Sequence, residues 1–269
     1  MEYVIIACTV LFAAGLTFFS GFGLGTIMLP VFSLYFDVPV AVGATAIVHL
    51  ANNLFKFALV YRGIHYPTLL RFGLPALVFA FLGGNLLARI SGMEAIYGYS
   101  LGNYSFQVLP VEIVVGVLMI FFAWLELDPR FDKWQVEPKH MPVGGALSGF
   151  FGGVSGHQGA FRAAFLSKAG LSKEQFIGTS NSVALMIDMA RLSAYFFGVG
   201  ILVNGQNKFF AALTDGRMLL VVGIAFAFLG TYFGKKLVQK TTITGIQRVV
   251  GVLLLIMGAA MILGLVHAK

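Results

Sequence analysis

The chain has 269 residues, 58% of them hydrophobic and 11% charged, against roughly a quarter charged in soluble domains. That excludes an ordinary soluble enzyme or binding domain and points to a polytopic membrane protein whose element lengths the bilayer sets. The net charge of +7 reads as loop Lys and Arg obeying the positive-inside rule rather than as a nucleic-acid surface, and the single cysteine, Cys8, excludes an internal disulfide or a multi-cysteine metal site.

In chain order, apolar runs cover 3–20, 24–36, 41–61, 69–89, 110–127, 143–153, 158–169, 174–197, 216–236 and 246–266. Those at 24–36, 143–153 and 158–169 are too short to cross a hydrocarbon core of about 30 Å alone. The runs lack the alternating pattern of barrel strands, which argues against a transmembrane β-barrel. Only Met1 and Glu2 precede the first run, so it has no basic n-region and is expected to stay as a membrane segment rather than act as a cleaved signal peptide. The one long polar stretch, Asp128 to His140, predicts a solvated linker over 128–142.

The chain repeats itself across that linker. Ser20-Gly21-Phe22-Gly23 returns as Ser155-Gly156-His157-Gln158, 135 residues on. At the same offset Gly43 falls on Gly178, Asn53 on Asp188, Lys56 on Arg191 and Val114–Leu118 on Val249–Leu253. Residues 1–127 and 143–269 therefore read as two transmembrane repeats, each interrupted by glycines, as in secondary transporters with a site at the repeat interface.

If each short pair (3–20 with 24–36, 143–153 with 158–169) is a hairpin, every half has one hairpin plus three crossings and the halves are inverted. Lys and Arg in the loops then divide eleven to four in favour of the side that carries the linker. With each pair read as one broken helix the halves are parallel, and the same charges split eight to seven. The positive-inside rule favours the inverted arrangement, with a cytoplasmic linker and both termini outside. The fold predicted is an all-α polytopic membrane protein of two inverted repeats, each a glycine-broken hairpin plus three transmembrane helices.

Polar residues inside the runs carry the functional signal, because a buried charge normally faces a cavity or a partner. Thr45, His49, Asn52 and Lys56 recur at four, three and four residues and stack on one helical face, with Asn53 alongside. Asn181, Asp188 and Arg191 follow the matching face of the second half, with Thr179 and Ser180 at its start. Asp188 and Arg191, three apart, can simply pair, but Lys56 has no acid on its own helix. Lys56, Arg162 and Arg191 against Asp188 leave two surplus positive charges among the embedded residues, which suits an anionic ligand.

The glycine breaks add half-helix N-termini with free N–H groups. Expected substrate-binding residues are Gly21, Gly23, Gly25, Thr26, Asn52, Asn53, Lys56, Ser155, Gly156, His157, Gln158, Thr179, Ser180, Asn181 and Arg191. His49, His157 and Asp188 are candidates for coupling. Packing accounts for many other glycines. Gly153-Val-Ser-Gly156 also has the G-x-S-G form around the nucleophile of intramembrane serine proteases, but the sequence places no base for Ser155, so no enzyme is expected.

Several motifs together resemble the sulfite exporter TauE/SafE family of anion permeases. They are Gly21-Phe-Gly-Leu-Gly-Thr-Ile-Met-Leu-Pro30, Pro39-Val-Ala-Val-Gly-Ala-Thr45 and Gly63-Ile64, then Ser155-Gly-His-Gln-Gly159 and Phe176-Ile-Gly-Thr-Ser-Asn181. The resemblance spans about residues 5–265. The second break departs from the family's glycine-rich form, with His157 and Gln158 intruding. The resemblance implies export of a small sulfur-containing or organic anion, such as sulfite or a sulfonate, across a bacterial inner membrane. A carrier working by alternating access is expected, with an anion channel as the alternative. A small-molecule anion and the lipid bilayer are the partners implied; neither a cofactor, a metal nor nucleic acid is called for, and a homo-oligomer is compatible with the pattern.

Overall fold

The structure, a computed structural model, describes residues 2–17, 24–102, 104–128, 130, 136–197, 202–203, 206–207, 213–237 and 243–266. Among them are ten α-helices of eight residues or more: α1 (Glu2–Leu16), α2 (Leu24–Phe32), α3 (Val38–Val60), α4 (Tyr66–Ile90), α5 (Pro110–Leu127), α6 (Met141–Ser155), α7 (Gly159–Leu166), α8 (Lys173–Phe197), α9 (Arg217–Leu237) and α10 (Ile243–Ile262). Each apolar run of the sequence is one helix. Local chemistry fixes several ends: Pro39, Pro67, Pro110 and Pro142 stand in the first turn of α3, α4, α5 and α6, where a missing N–H costs nothing.

Among the described residues, four helical stretches are long and apolar enough to cross a membrane: Val38–Gly63, Tyr66–Ile90, Pro110–Leu127 and Arg217–Gly234. The chain is a polytopic membrane protein. α8 has the length, 25 residues, or about 37 Å at 1.5 Å per residue, but its buried polar residues lower its hydropathy. Burial runs opposite to a soluble protein's. On α4, Leu70, Leu74, Val78 and Leu82 are exposed at helical spacing, an apolar stripe suited to lipid, while Lys56 of α3, Arg162 of α7 and Asp188 and Arg191 of α8 are buried.

Packing relies on close backbone approach. On α6, Cβ atoms added at Gly145, Gly149 and Gly153 would meet the carbonyl oxygens of Phe72, Ala76 and Ala80 of α4 within about 2.3 Å, so the two helices lie backbone to backbone. α1 meets α9 in the same way through Gly15, Gly230 and Gly234, and α5 meets α10 through Gly116 and Gly258. α3 lies against α8 and α9, and Phe55 stacks on Phe228 with centroids 5.0 Å apart.

The all-α expectation needs one correction, because the molecule is mostly rather than wholly helical. β1 (Tyr97–Leu101) pairs antiparallel with β2 (Tyr104–Val108), and a second short ladder joins β3 (Leu202–Val203) to β4 (Gln206–Asn207). Alternating aromatic residues around Gly102, whose φ is +62, favour a hairpin where the apolar-run reading leaves a loop. The Tyr99 hydroxyl donates to the Leu263 carbonyl at 2.6 Å and ties the hairpin to the end of α10. Ser20, Gly21 and Gly23 of the first break lie outside the described residues.

Candidate functional site

α3 and α8 meet along their polar faces. Thr45, His49, Asn52, Asn53 and Lys56 of α3 are all buried, as are Thr179, Ser180, Asn181, Asp188 and Arg191 of α8. The stacking read from the sequence thus turns the polar residues toward one seam rather than toward lipid. Asn181 Nδ2 donates to the Asn53 carbonyl across it at 3.0 Å.

Asp188 is the hub. Its Oδ2 accepts from His49 Nδ1 at 2.7 Å and from Asn53 Nδ2 at 2.9 Å. Its Oδ1 accepts from Arg191 Nη2 at 2.7 Å and from Gln158 Nε2 at 3.0 Å. Four donors on two oxygens use the carboxylate's full capacity, so Asp188 is satisfied as an anion although no surface of it is exposed. The pairing that its spacing from Arg191 allows is present. Arg191 is itself fully buried; its Nη1 reaches the Gly152 carbonyl at 3.4 Å, and its Nε has no partner among the described residues.

Gln158 extends the network. Its Oε1 accepts from Arg162 Nη1 at 2.8 Å, and Arg162 Nε donates to Ser180 Oγ at 2.9 Å. Arg162 is a cation the sequence reading counts as embedded but leaves out of the site. The signal was available: it stands four residues after Gln158, on the same face of α7. Arg162 lies close enough to Lys56 for the two like charges to act on each other. Lys56, Arg162 and Arg191 are therefore buried together, and Asp188 is the one acid this network holds among the described residues.

The start of α2 borders the second break. A Cβ at Gly25, in the first turn of α2, would lie 3.5 Å from the Gly156 carbonyl, 3.7 Å from His49 Cδ2 and 3.7 Å from Thr45 Cγ2. These are ordinary contact distances, and the φ of Gly25 is not positive, so neither strain nor crowding explains glycine there. Gly156 differs. It ends α6 with φ +83, its N–H donates to the Gly152 carbonyl at 3.0 Å, and a Cβ would stand 2.9 Å from Arg191 Nη1. Only glycine adopts that backbone freely.

Other expected residues are engaged elsewhere. Thr179 Oγ1 accepts the His65 N–H at 2.9 Å and fixes the turn before α4. Asn52 Oδ1 accepts from Thr231 of α9 at 2.6 Å, while its Nδ2 and Thr45 Oγ1 have no partner among the described residues. Thr26 is buried in the first turn of α2. His157 turns away from Asp188: its ring stacks on Phe122 with centroids 4.9 Å apart, and its Nε2 lacks a partner among the described residues.

One expectation is corrected here. The sequence places no base for Ser155, yet His157 Nδ1 lies 3.0 Å from Ser155 Oγ, because the left-handed Gly156 folds the chain back on itself. The Ser155 hydroxyl also donates to the Phe151 carbonyl at 3.1 Å. No three His, Cys, Asp or Glu side chains converge among the described residues.

Neither a curated protein nor a solved structure matches the chain. The model of the Sulfite exporter TauE/SafE family matches residues 6–261. With that match over nearly its whole length, the chain belongs to the TauE/SafE family and is a membrane transporter of anions such as sulfite, not an enzyme.

Proposed function

We propose that the seam between α3 and α8 is the substrate site of an anion carrier built from two inverted repeats, 1–127 and 143–269, joined by a cytoplasmic linker at 128–142. Both termini face outside, and the membrane is a bacterial inner membrane. Packing supports the repeat. The pairs α1 with α9 and α6 with α4 exchange when the halves are exchanged, and α3–α8 and α5–α10 each join equivalents. Asn53 and Asp188, equivalent at the offset of 135, hydrogen-bond to each other, the contact expected beside an axis that relates two halves.

The observation that carries the reading is the charge surplus. Lys56, Arg162 and Arg191 are buried together, and among the described residues Asp188, paired with Arg191 and with no acceptor capacity left, is the acid in their network. A small oxyanion such as sulfite or a sulfonate entering beside Lys56 and Arg162 supplies further negative charge. Arg191, held by Asp188, contributes its field and its Nε. Asn52, Asn53, Ser180 and Asn181 orient the oxyanion, and Thr45 with the N–H groups at Gly25 and Thr26 completes the lining. Alternating access then rocks one set of helices against the other across the seam.

The test is radiolabelled sulfite counterflow in proteoliposomes. Saturable exchange is expected from the wild type, and Lys56→Gln and Arg162→Gln should each lower apparent affinity about thirty-fold or more, the loss for one partner of a desolvated ionic contact. Wild-type affinity in both folded variants removes these cations from the site. Conductance far above carrier turnover replaces the carrier with a channel.

A further inference from the structure

We infer that the anion travels together with a proton, and that His49 carries it. The inference rests on the reading of the seam as the anion site and adds the coupling ion to it. His49 sits between that site and the network's acid. Its Nδ1 faces Asp188 Oδ2 at 2.7 Å, which requires Nδ1 to hold the hydrogen, since the carboxylate can only accept. Asn53 Nδ2 approaches the same oxygen from the same helix, so the ring's orientation is fixed. The incoming proton therefore goes to Nε2. His49 Cδ2, adjacent to Nε2 in the ring, borders Gly25 in the first turn of α2. Imidazole is the side chain that ordinarily changes charge near neutral pH.

Every charged group facing His49 favours the same linkage. On its own helix Lys56 lies seven residues on, and α8 supplies Asp188 and Arg191. Arg162 of α7 reaches Asp188 through Gln158. His157, at the break, is turned to Ser155 and Phe122. The described residues of α2 include no titratable side chain. α9 presents Gly223, Phe228 and Thr231 to α3, and Glu112 of α5 lies toward Asp37 at the far end of α3. Protonating His49 adds a fourth positive charge to a cluster that already exceeds its acid by two. Lys56 and Arg191 oppose that step, and a bound anion offsets them. Proton and anion thus bind with positive coupling, and each raises the other's affinity by the same factor. Co-binding at one seam makes the carrier a symporter.

The experiment compares wild type with His49→Gln, whose amide can still donate to Asp188. Calorimetry of sulfite binding is run in two buffers of different ionisation enthalpy, at an alkaline pH where sulfite is the dianion and brings no proton. The wild type should take up close to one proton per anion, and His49→Gln none. In proteoliposomes with the membrane potential clamped, an inward proton gradient should raise sulfite accumulation by up to about tenfold per pH unit, the limit for one coupled proton. His49→Gln should lose that gain, and whatever sulfite exchange it retains should no longer respond to the proton gradient. Sulfite's own speciation and leak are common to both proteins and cancel.

Proton uptake by His49→Gln equal to the wild type's, or binding by the wild type with no uptake, overturns the proposal while leaving the anion site standing. A wild type that neither binds nor exchanges sulfite removes the anion reading and the proton with it. Should His49→Gln not purify as a monodisperse protein, the calorimetric count on the wild type alone decides.

Discussion

Breaking the ion pair of Asp188 and Arg191 from either end should not cost the same. Replacing Asp188 by Leu leaves the Arg191 guanidinium fully buried without its carboxylate, the Gly152 carbonyl standing only at 3.4 Å. It also strands the donors of His49, Asn53 and Gln158. Removing one partner of a buried pair costs about 3–5 kcal/mol, and the three stranded donors place Asp188→Leu at or above the upper end. Arg191→Met, in contrast, leaves the carboxylate with three donors, from His49, Asn53 and Gln158. Its cost should fall near the lower end, about 3 kcal/mol. The double variant replaces an ion pair by apolar side chains and should recover about 2 kcal/mol or more relative to the sum, because neither member of the pair is left buried without the other. Unfolding of the detergent-purified protein, followed by intrinsic fluorescence, measures all three. If Arg191→Met is as damaging as Asp188→Leu, or the two effects simply add, the hub described here does not hold the seam together.

Gly25→Ala has room for its methyl group, so this variant should retain wild-type stability yet lose about tenfold or more in sulfite affinity, since the methyl fills the space between α2, His49 and the Gly156 carbonyl; full activity would make Gly25 a bystander. Gly156→Ala should instead lower stability by about 1–2 kcal/mol or more, the cost of a left-handed conformation for a residue with a Cβ, visible as an earlier unfolding midpoint. Gly149→Ala drives a Cβ to 2.1 Å from the Ala76 carbonyl, so it should destabilise the protein, and in whatever fraction stays folded the sulfite affinity should be unchanged. For topology, in a background with the exposed Cys8 replaced by serine, Lys139→Cys should be labelled from the cytoplasmic side alone and Ser100→Cys from outside alone. Both positions are exposed, and labelling of both from one side would discard the inverted arrangement.

Hydropathy made the helices legible, because the bilayer punishes polar backbone and side chains over a fixed length. The run at 143–153 extends to Met141–Ser155 in the structure; Pro142 opens the helix and Ser155 closes it, and neither is apolar enough to register. The polar face of α3 was legible for the same reason, since helical spacing fixes which residues share a side. Partners across helices were not. Nothing in the sequence says that Gln158 bridges Asp188 and Arg162, or that Thr179 serves a turn near His65 rather than the seam. Such choices depend on how α7 and α8 are set side by side, and local spacing carries no information about that. The Ser155–His157 contact was hidden for a related reason: residues two apart approach so closely only because Gly156 takes a left-handed conformation.

The saturation of Asp188 explains how one acid can coexist with an anion site. A carboxylate with free lone pairs would compete with substrate for Lys56 and Arg162 and repel it as well. Here both oxygens are spent on four donors drawn from α3, α8 and the break before α7, so its charge is committed to Arg191 and His49. The same arrangement ties the state of the seam to the carboxylate. Two of its donors belong to α3 and two to the second half. Sliding α3 away from α8 breaks the His49 and Asn53 bonds, each worth about 1.5–3 kcal/mol when one partner is charged. A carrier that rocks across this seam must replace those bonds at the same moment, and the surplus cations give a bound anion the leverage to decide when. On the proposed reading, transport is then linked to occupancy by the buried polar network itself, since a bound anion adds negative charge beside Lys56 and Arg162 that an empty site does not supply.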